Sequence, residues 1–213
     1  MEATKLSPRI TTMIRMDHTH VLATFHKYRI DASSDKKEAL VHTICTALEI
    51  HAQLEEEIFY PAMRALDAAI VDKSYPEHEE MRRLIARLRG MDPGDSRYDD
   101  TVMDLMRNVM HHVADEETTL LPAAERMMSD RLEALGWEMT RRRFELAGPR
   151  AGEIAGNMAR AYPGVVVTAG ALALVGAFFA ARAAMPATRR SLPSRGLKDA
   201  FRRPAQRLLA HVR

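Results

Sequence analysis

The chain has one cysteine, Cys45, in 213 residues. An intramolecular disulfide is therefore excluded, and with it the disulfide scaffolds of small secreted domains. Cys45 reads instead as a small buried residue on a helix. Aromatic residues make up only 6% of the chain, and β-branched runs are scarce outside one late segment, which argues against a sheet-rich fold. The opening residues, Met-Glu-Ala-Thr-Lys-Leu-Ser-Pro, lack the apolar core of a secretory signal. No charge sign dominates either, since the formal net charge is +2. That balance hides an asymmetry: the first two thirds are acidic to neutral, and the end is rich in arginine.

What the chain does have is alanine, leucine, methionine, glutamate and arginine, the residues that lose least on entering a helix. Apolar residues recur at helical spacing in four stretches: Ile14, Val21, Leu22 and Phe25; Leu40, Val41, Ile44 and Leu48; Met81, Leu84, Ile85 and Leu88; and Val102, Leu105 and Val109. The polar break at residues 31–35 and the loop Gly90-Met-Asp-Pro-Gly94 separate them, and Tyr75-Pro76-Glu77 reads as a helix start. An all-α fold is expected, an antiparallel four-helix bundle over residues 8–128. A helical linker is expected over 129–160, a transmembrane helix over 161–185 and a basic tail over 186–213. The membrane expectation rests on the uncharged run from Pro163 to Ala181, which as a helix would span roughly 28 Å. The small-residue row Ala169, Ala173, Ala177 and Ala181 would let two such helices pair as a homodimer. The basic tail then suits anionic lipid, and no motif favours nucleic acid. The bundle itself is expected on the cytoplasmic side.

One pattern occurs twice. His51-Ala-Gln-Leu-Glu55-Glu56 and His112-Val-Ala-Asp-Glu116-Glu117 both read H-x-x-x-E-E, and each is followed by a proline, Pro61 or Pro122, ten residues after its histidine. Each copy also has an acidic-His pair upstream, Asp17-His18 and Glu77-His78. Residues four apart on a helix share a face, so His51 with Glu55, and His112 with Glu116, can each aim at one point. All six lie on the apolar stripes. A lone core histidine is usually a hydrogen-bonded packing residue, and a glutamate cluster is usually a solvated face. Burying this many ionisable groups together would cost several kcal/mol apiece without compensation. Two cations would remove that cost and account for the duplication. The candidate ligands are His18, His51, Glu55, His78, His112 and Glu116. Glu56, Glu57 and Glu117 turn away from that direction, and His111 with Asp115 repeats the spacing on the next face.

These residues make the chain resemble the hemerythrin-like HHE cation-binding domains over about residues 10–127. The resemblance implies a non-haem centre of two iron ions, bridged by an oxo group and the two glutamates. It implies a small ligand or oxidant such as O2, peroxide or nitric oxide, with no catalytic residue beyond the metal centre. The oxygen carriers of that family have a fifth histidine one turn from the counterpart of His78, where this chain has Ser74 and Arg82. The set matches the symmetric subgroup with four histidines and two glutamates. Two octahedral irons offer about twelve positions, of which such a set with its bridge leaves about two open. That openness favours redox chemistry on a small oxidant, as a peroxide- or nitric-oxide-directed oxidoreductase. A non-catalytic oxygen or iron sensor, or iron supply to iron-sulfur clusters, is the competing expectation.

Overall fold

The computed structural model describes residues 8–161, and the described residues are helical throughout apart from turns and loops. In chain order the α-helices are α1 (Ile10–Phe25), α2 (Ser34–Leu54), α3 (Tyr60–Arg64), α4 (Ala68–Asp72), α5 (Ser74–Arg89), α6 (Tyr98–Asp115), α7 (Leu121–Met127), α8 (Leu132–Ala147) and α9 (Ala151–Ala161). Helices α2 and α3 are one continuous rod joined through a π-helical turn, Glu55–Phe59. A second π-turn, Glu116–Leu120, joins α6 to α7 in the same way. With α1 and α5, these two rods make the four-helix bundle that the periodicity predicts.

The π-turns follow from the two prolines. Pro61 and Pro122 have no N–H to give to the carbonyl four residues back, and their rings crowd that carbonyl. The helix accommodates them by widening by one residue. The bonds Tyr60 N–H to Glu55 C=O and Leu121 N–H to Glu116 C=O span five residues instead of four. Proline commonly bends or ends a helix; here each rod continues, with a wider turn beginning at the glutamate itself.

Two apolar clusters fill the bundle. One gathers Phe25, Ile44, Leu48, Leu84, Leu105 and Val109. The other gathers Ile14, Leu54, Phe59, Leu120, Leu121 and Leu132. Along α1, His18 falls between Ile14 of the second cluster and Val21 of the first. His51 likewise falls between Leu48 and Leu54, and His112 between Val109 and Leu120. The polar residues therefore form a layer between two dry blocks. At the far end of the first block the buried Lys37 ammonium donates to Asp99 Oδ1 at 2.9 Å, and the Tyr28 hydroxyl donates to the same carboxylate. This ties the turn after α1 to α2 and α6.

Residues 129–160, expected as a linker, form α8 and α9, and both pack on the bundle. Helix α8 buries Leu132, Leu135 and Met139 in the second cluster. It comes so close to the start of α1 that a Cβ at Gly136 would lie 2.0 Å from the Pro8 carbonyl oxygen. Helix α9 lies along α2, where the Thr46 hydroxyl donates to Glu153 Oε1 at 3.0 Å. Among the described residues no helix is long and apolar enough to cross a membrane. The span expected over 161–185, save for Ala161 at the end of α9, and the tail over 186–213 lie outside the described residues.

Candidate metal centre

All six residues singled out by the duplicated pattern meet in the layer between the two apolar blocks. His18 comes from α1, His51 from α2, Glu55 from the first π-turn, His78 from α5, His112 from α6 and Glu116 from the second π-turn. None is more than 4% exposed, which removes the solvated-face reading. His51 Nε2 is 3.3 Å from Glu55 Oε2, and His78 Nε2 is 3.4 Å from the same oxygen. His18 Nε2 and His112 Nε2 lie 3.4 and 3.7 Å from Glu116 Oε2. The ligand atoms of His18, His51, His112 and Glu116 fall within 4.8 Å of one another, and so do those of Glu55, His78 and His112. Two adjoining groups that share His112 are an arrangement suited to two cations, although the split is less symmetric than the sequence repeat.

The histidine rings are oriented from outside. Each Nδ1 meets a carboxylate on a neighbouring helix. The distances are 3.4 Å from His51 to Asp17, 2.8 Å from His78 to Glu56, 3.0 Å from His112 to Glu77, and 3.0 Å from His18 to Glu117. The four contacts run head to tail: α1 holds the α2 histidine, the α2 rod holds that of α5, α5 holds that of α6, and the α6 rod returns to α1. Every acid in this ring is the chain neighbour of a ligand, as in Asp17-His18, Glu55-Glu56, Glu77-His78 and Glu116-Glu117. Two of the acids are themselves gripped. Arg143 of α8 binds both oxygens of Asp17 at 2.6 and 2.5 Å, and Arg82 reaches Glu56 Oε2 at 2.5 Å. Arg82, one turn beyond His78, thus acts through Glu56, the acid that holds the His78 ring.

With Nδ1 engaged, each ring presents Nε2 inward. There the ordinary rules fail. His18 Nε2, His51 Nε2, Glu55 Oε1 and Glu116 Oε2 are all buried without a hydrogen-bond partner. His78 Nε2 and His112 Nε2 face each other at 3.3 Å. Orphaned buried polar atoms are rare in folded proteins, and each costs about 1–3 kcal/mol. Four on adjacent side chains, all imidazole nitrogen or carboxylate oxygen, are the donor set of a cation. The residues present fit a metal centre.

Tyr60, which the sequence reading passed over, completes this layer. It is the first residue after the π-turn and is fully buried. Its hydroxyl donates to Glu116 Oε1 at 2.8 Å and lies 3.2 Å from both Glu55 Oε2 and His78 Nε2. The other half of the repeat has Leu121 at this place, so the phenol belongs to one side only. Burial and the two glutamates hold its proton on, raising the phenol well above its usual range.

Charge in the layer is divided unequally. Burial, reinforced by Glu116, pushes the Glu55 carboxyl well above the usual carboxylate range. Burial opposes ionisation at Glu116 as well, but its contact with His18 and the charges of His112 and His18 outweigh that and bring it down to about 2. Burial holds the His51 imidazole down at about 4, while Glu116 and Glu55 carry His18 above its ordinary value against the same effect. His111, the alternative considered for His112, is 71% exposed at its side chain and stays outside, with Nε2 3.7 Å from Glu77 Oε1.

Comparisons with known proteins bear on the family and the fold. The family model described as the hemerythrin HHE cation binding domain matches residues 9–124. The chain is 32% identical over 126 residues to a DNA nickase from Nostoc sp.; this covers 59% of the chain and 36% of the relative, so the chain spans about a third of that protein's length. Among solved structures it resembles a hemerythrin HHE cation binding domain-containing protein from Mycobacterium kansasii. The TM-score there is 0.59 at 20% identity, over 72% of this chain and 93% of the other, a likeness of fold.

Proposed function

Because the chain belongs to the hemerythrin HHE cation-binding domain family, we propose that His18, His51, Glu55, His78, His112 and Glu116 hold two iron ions and that the centre reacts with a small oxidant. The observation that carries this reading is the set of four buried, partnerless donor atoms gathered in one layer while every outward ring nitrogen of the four histidines is held by a carboxylate. The imidazole and carboxylate mixture suits iron. Such ions, when bound, supply one-electron redox chemistry and a site for O2, peroxide or nitric oxide.

The protein's own part is selection and positioning. Beside His18, His51 and His112 the bundle leaves a cavity of about 10 Å³, walled by Val21, Leu48, Val109 and Val113. That is room for about one water-sized molecule, so only a very small ligand suits this side of the three histidines. Tyr60 does not line this cavity. It works from the other side, where its Oη–H fixes Glu116 and keeps a proton beside both carboxylates. The ring of outer acids keeps each Nε2 aimed inward and raises its basicity.

The test is metal analysis with an absorption spectrum on the purified chain, followed by turnover assays with peroxide and with nitric oxide. About two irons per chain, lost in His51→Ala and His112→Ala, with consumption of one oxidant, is the expected result. Metal content unchanged in both variants would overturn the site. Reversible ligand binding without turnover would replace the redox reading with the sensor.

The apolar run and basic tail support a further proposal, that the chain is anchored to a membrane with the bundle on the cytoplasmic face. Extraction of the full-length chain from membranes by alkaline carbonate, without detergent, would end that proposal.

A further inference from the structure

The turn between α1 and α2, at the end of the bundle away from the metal layer, carries a cationic cavity. Its volume is about 240 Å³, and its wall includes Lys27, Tyr28, Arg29, Lys36, Lys37 and Ala161. Four of its residues are cations and none is an acid. Lys37 is held by Asp99. The other three cations are exposed. Arg29 pairs with Asp31 at 3.3 Å, but the two side chains are 74 and 77% exposed, so water screens the pair. Lys36 stands in the first turn of α2, whose positive end adds to the field there. Its neighbour Asp35 is exposed and lies outside the wall.

Two further features say what meets these cations. Ile30 follows Arg29 in the same turn and is 64% exposed, more than any other leucine, isoleucine or valine among the described residues. An exposed isoleucine among cations suits a lipid headgroup layer, which takes the apolar side chain below its phosphates and the charges at them. The second feature is Ala161, the last residue of α9, which is buried in the wall of this cavity. The uncharged run begins at Pro163, and two residues of chain reach at most about 7 Å. A run that enters a membrane there brings the headgroups to this end of the bundle.

We propose that the turn between α1 and α2 is a docking surface for an anionic lipid bilayer, with Lys27, Arg29 and Lys36 on lipid phosphates and Ile30 among the headgroups. This inference rests on the membrane-anchor reading and is independent of the metal reading. From Lys37 to His51 along α2 is roughly 20 Å. Docking by this end therefore holds the metal layer beyond the roughly 8 Å over which lipid charge acts in physiological salt.

For the test, the full-length chain is reconstituted into vesicles of phosphatidylcholine, alone or with about one third phosphatidylglycerol, and its amines are acetylated with a membrane-impermeant reagent. Mass spectrometry reads Lys27 and Lys36 against Lys73, which pairs with Asp115 beside the metal layer and serves as the internal reference. Phosphatidylglycerol should lower labelling of Lys27 and Lys36 by about fivefold or more relative to Lys73, and about 1 M salt should restore it. Arg29→Gln changes an exposed side chain and should weaken the protection about fivefold, the share of one cation. Ile30→Ser should weaken it as well. Equal labelling in the two lipids, in a chain that resists alkaline carbonate, overturns the proposal and leaves the anchor standing. Release by carbonate overturns the anchor, and this proposal with it. Protection by inorganic phosphate in the neutral vesicles, with none added by phosphatidylglycerol, gives the cavity to a soluble anion and overturns lipid as its occupant.

Discussion

Asp17 is the chain neighbour of His18, yet its carboxylate orients His51 on the next helix, at 3.4 Å from Nδ1. Glu77, beside His78, does the same for His112 at 3.0 Å. Each acidic-His pair therefore serves two different histidines, one by supplying it and the other by holding it. This crossing ties the four rods together through the site itself. It also keeps the acid ionised: burial works against the Asp17 carboxylate, but the contacts with His51 and Arg143 bring it down to about 2.

Removing the charge of one outer acid while keeping its shape should loosen a ligand that it never replaces. Asp17→Asn and Glu77→Gln are each expected to weaken metal affinity by about tenfold to a hundredfold while the fold survives. Competition with a chelator of known affinity measures this. Affinity within twofold of the parent in both variants would show that the ring of acids orients nothing.

Metal uptake should release protons. Glu55 is pushed above the carboxylate range by burial and Glu116, and His18 and His112 are raised by neighbouring glutamates against burial. A group with a raised value still carries its proton where the free side chain would have lost it, and a cation needs the bare atom. His51, held at about 4 by burial, has none to give near neutrality. Affinity for ferrous ion under anaerobic conditions therefore falls as pH falls. Calorimetry in two buffers of different ionisation enthalpy reads the protons released per ion bound; identical heats would contradict the assignment.

The ligand set was legible because residue type, spacing, apolar flanks and duplication coincide in it. Tyr60 was not, for a geometric reason. On a regular helix a residue five beyond Glu55 points roughly 140° away from it; the wider π-turn brings Tyr60 back onto the same side. The signal was present in Pro61 and Pro122, whose common offset marked a helix under strain, though not which residue the strain would deliver. Arg143 was hidden differently. It lies in the stretch read as a linker, and only the packing of α8 on α1 brings it to Asp17, across 126 residues of sequence. Of the outer acids, Glu56 and Glu117 were visible as residues turned away from the ligand face, and Asp17 and Glu77 as the acidic members of the upstream pairs. Their partners were not, because helical spacing relates residues within one rod and these contacts run between rods.

Tyr60→Phe offers a test that separates the two states of the site. The hydroxyl satisfies Glu116 Oε1, and without it that oxygen is left buried beside Glu55. The loss should be about 1–3 kcal/mol in the metal-free chain and smaller once a cation takes the carboxylates. Thermal melts with and without ferrous ion measure both. An equal loss in the two states would mean that the phenol is merely a packing residue.

Gly136 links the added helix to the site. A methyl group there would lie 2.0 Å from the Pro8 carbonyl oxygen and 3.1 Å from the Ile10 nitrogen, both backbone atoms that cannot rotate aside. Gly136→Ala must therefore push α8 away from the start of α1, at a cost of about 1–3 kcal/mol and a fall in melting temperature of about 3–10 °C. Gly156→Ala is the control, since a Cβ there meets nothing within 4 Å, and in the interior of α9 it should be neutral or slightly stabilising. Displacing α8 also draws Arg143 from Asp17 and frees the acid that holds His51. Gly136→Ala should accordingly weaken metal affinity as Asp17→Asn does, although the glycine touches no ligand. Stability lost with affinity intact would show that α8 buttresses the bundle without holding the site.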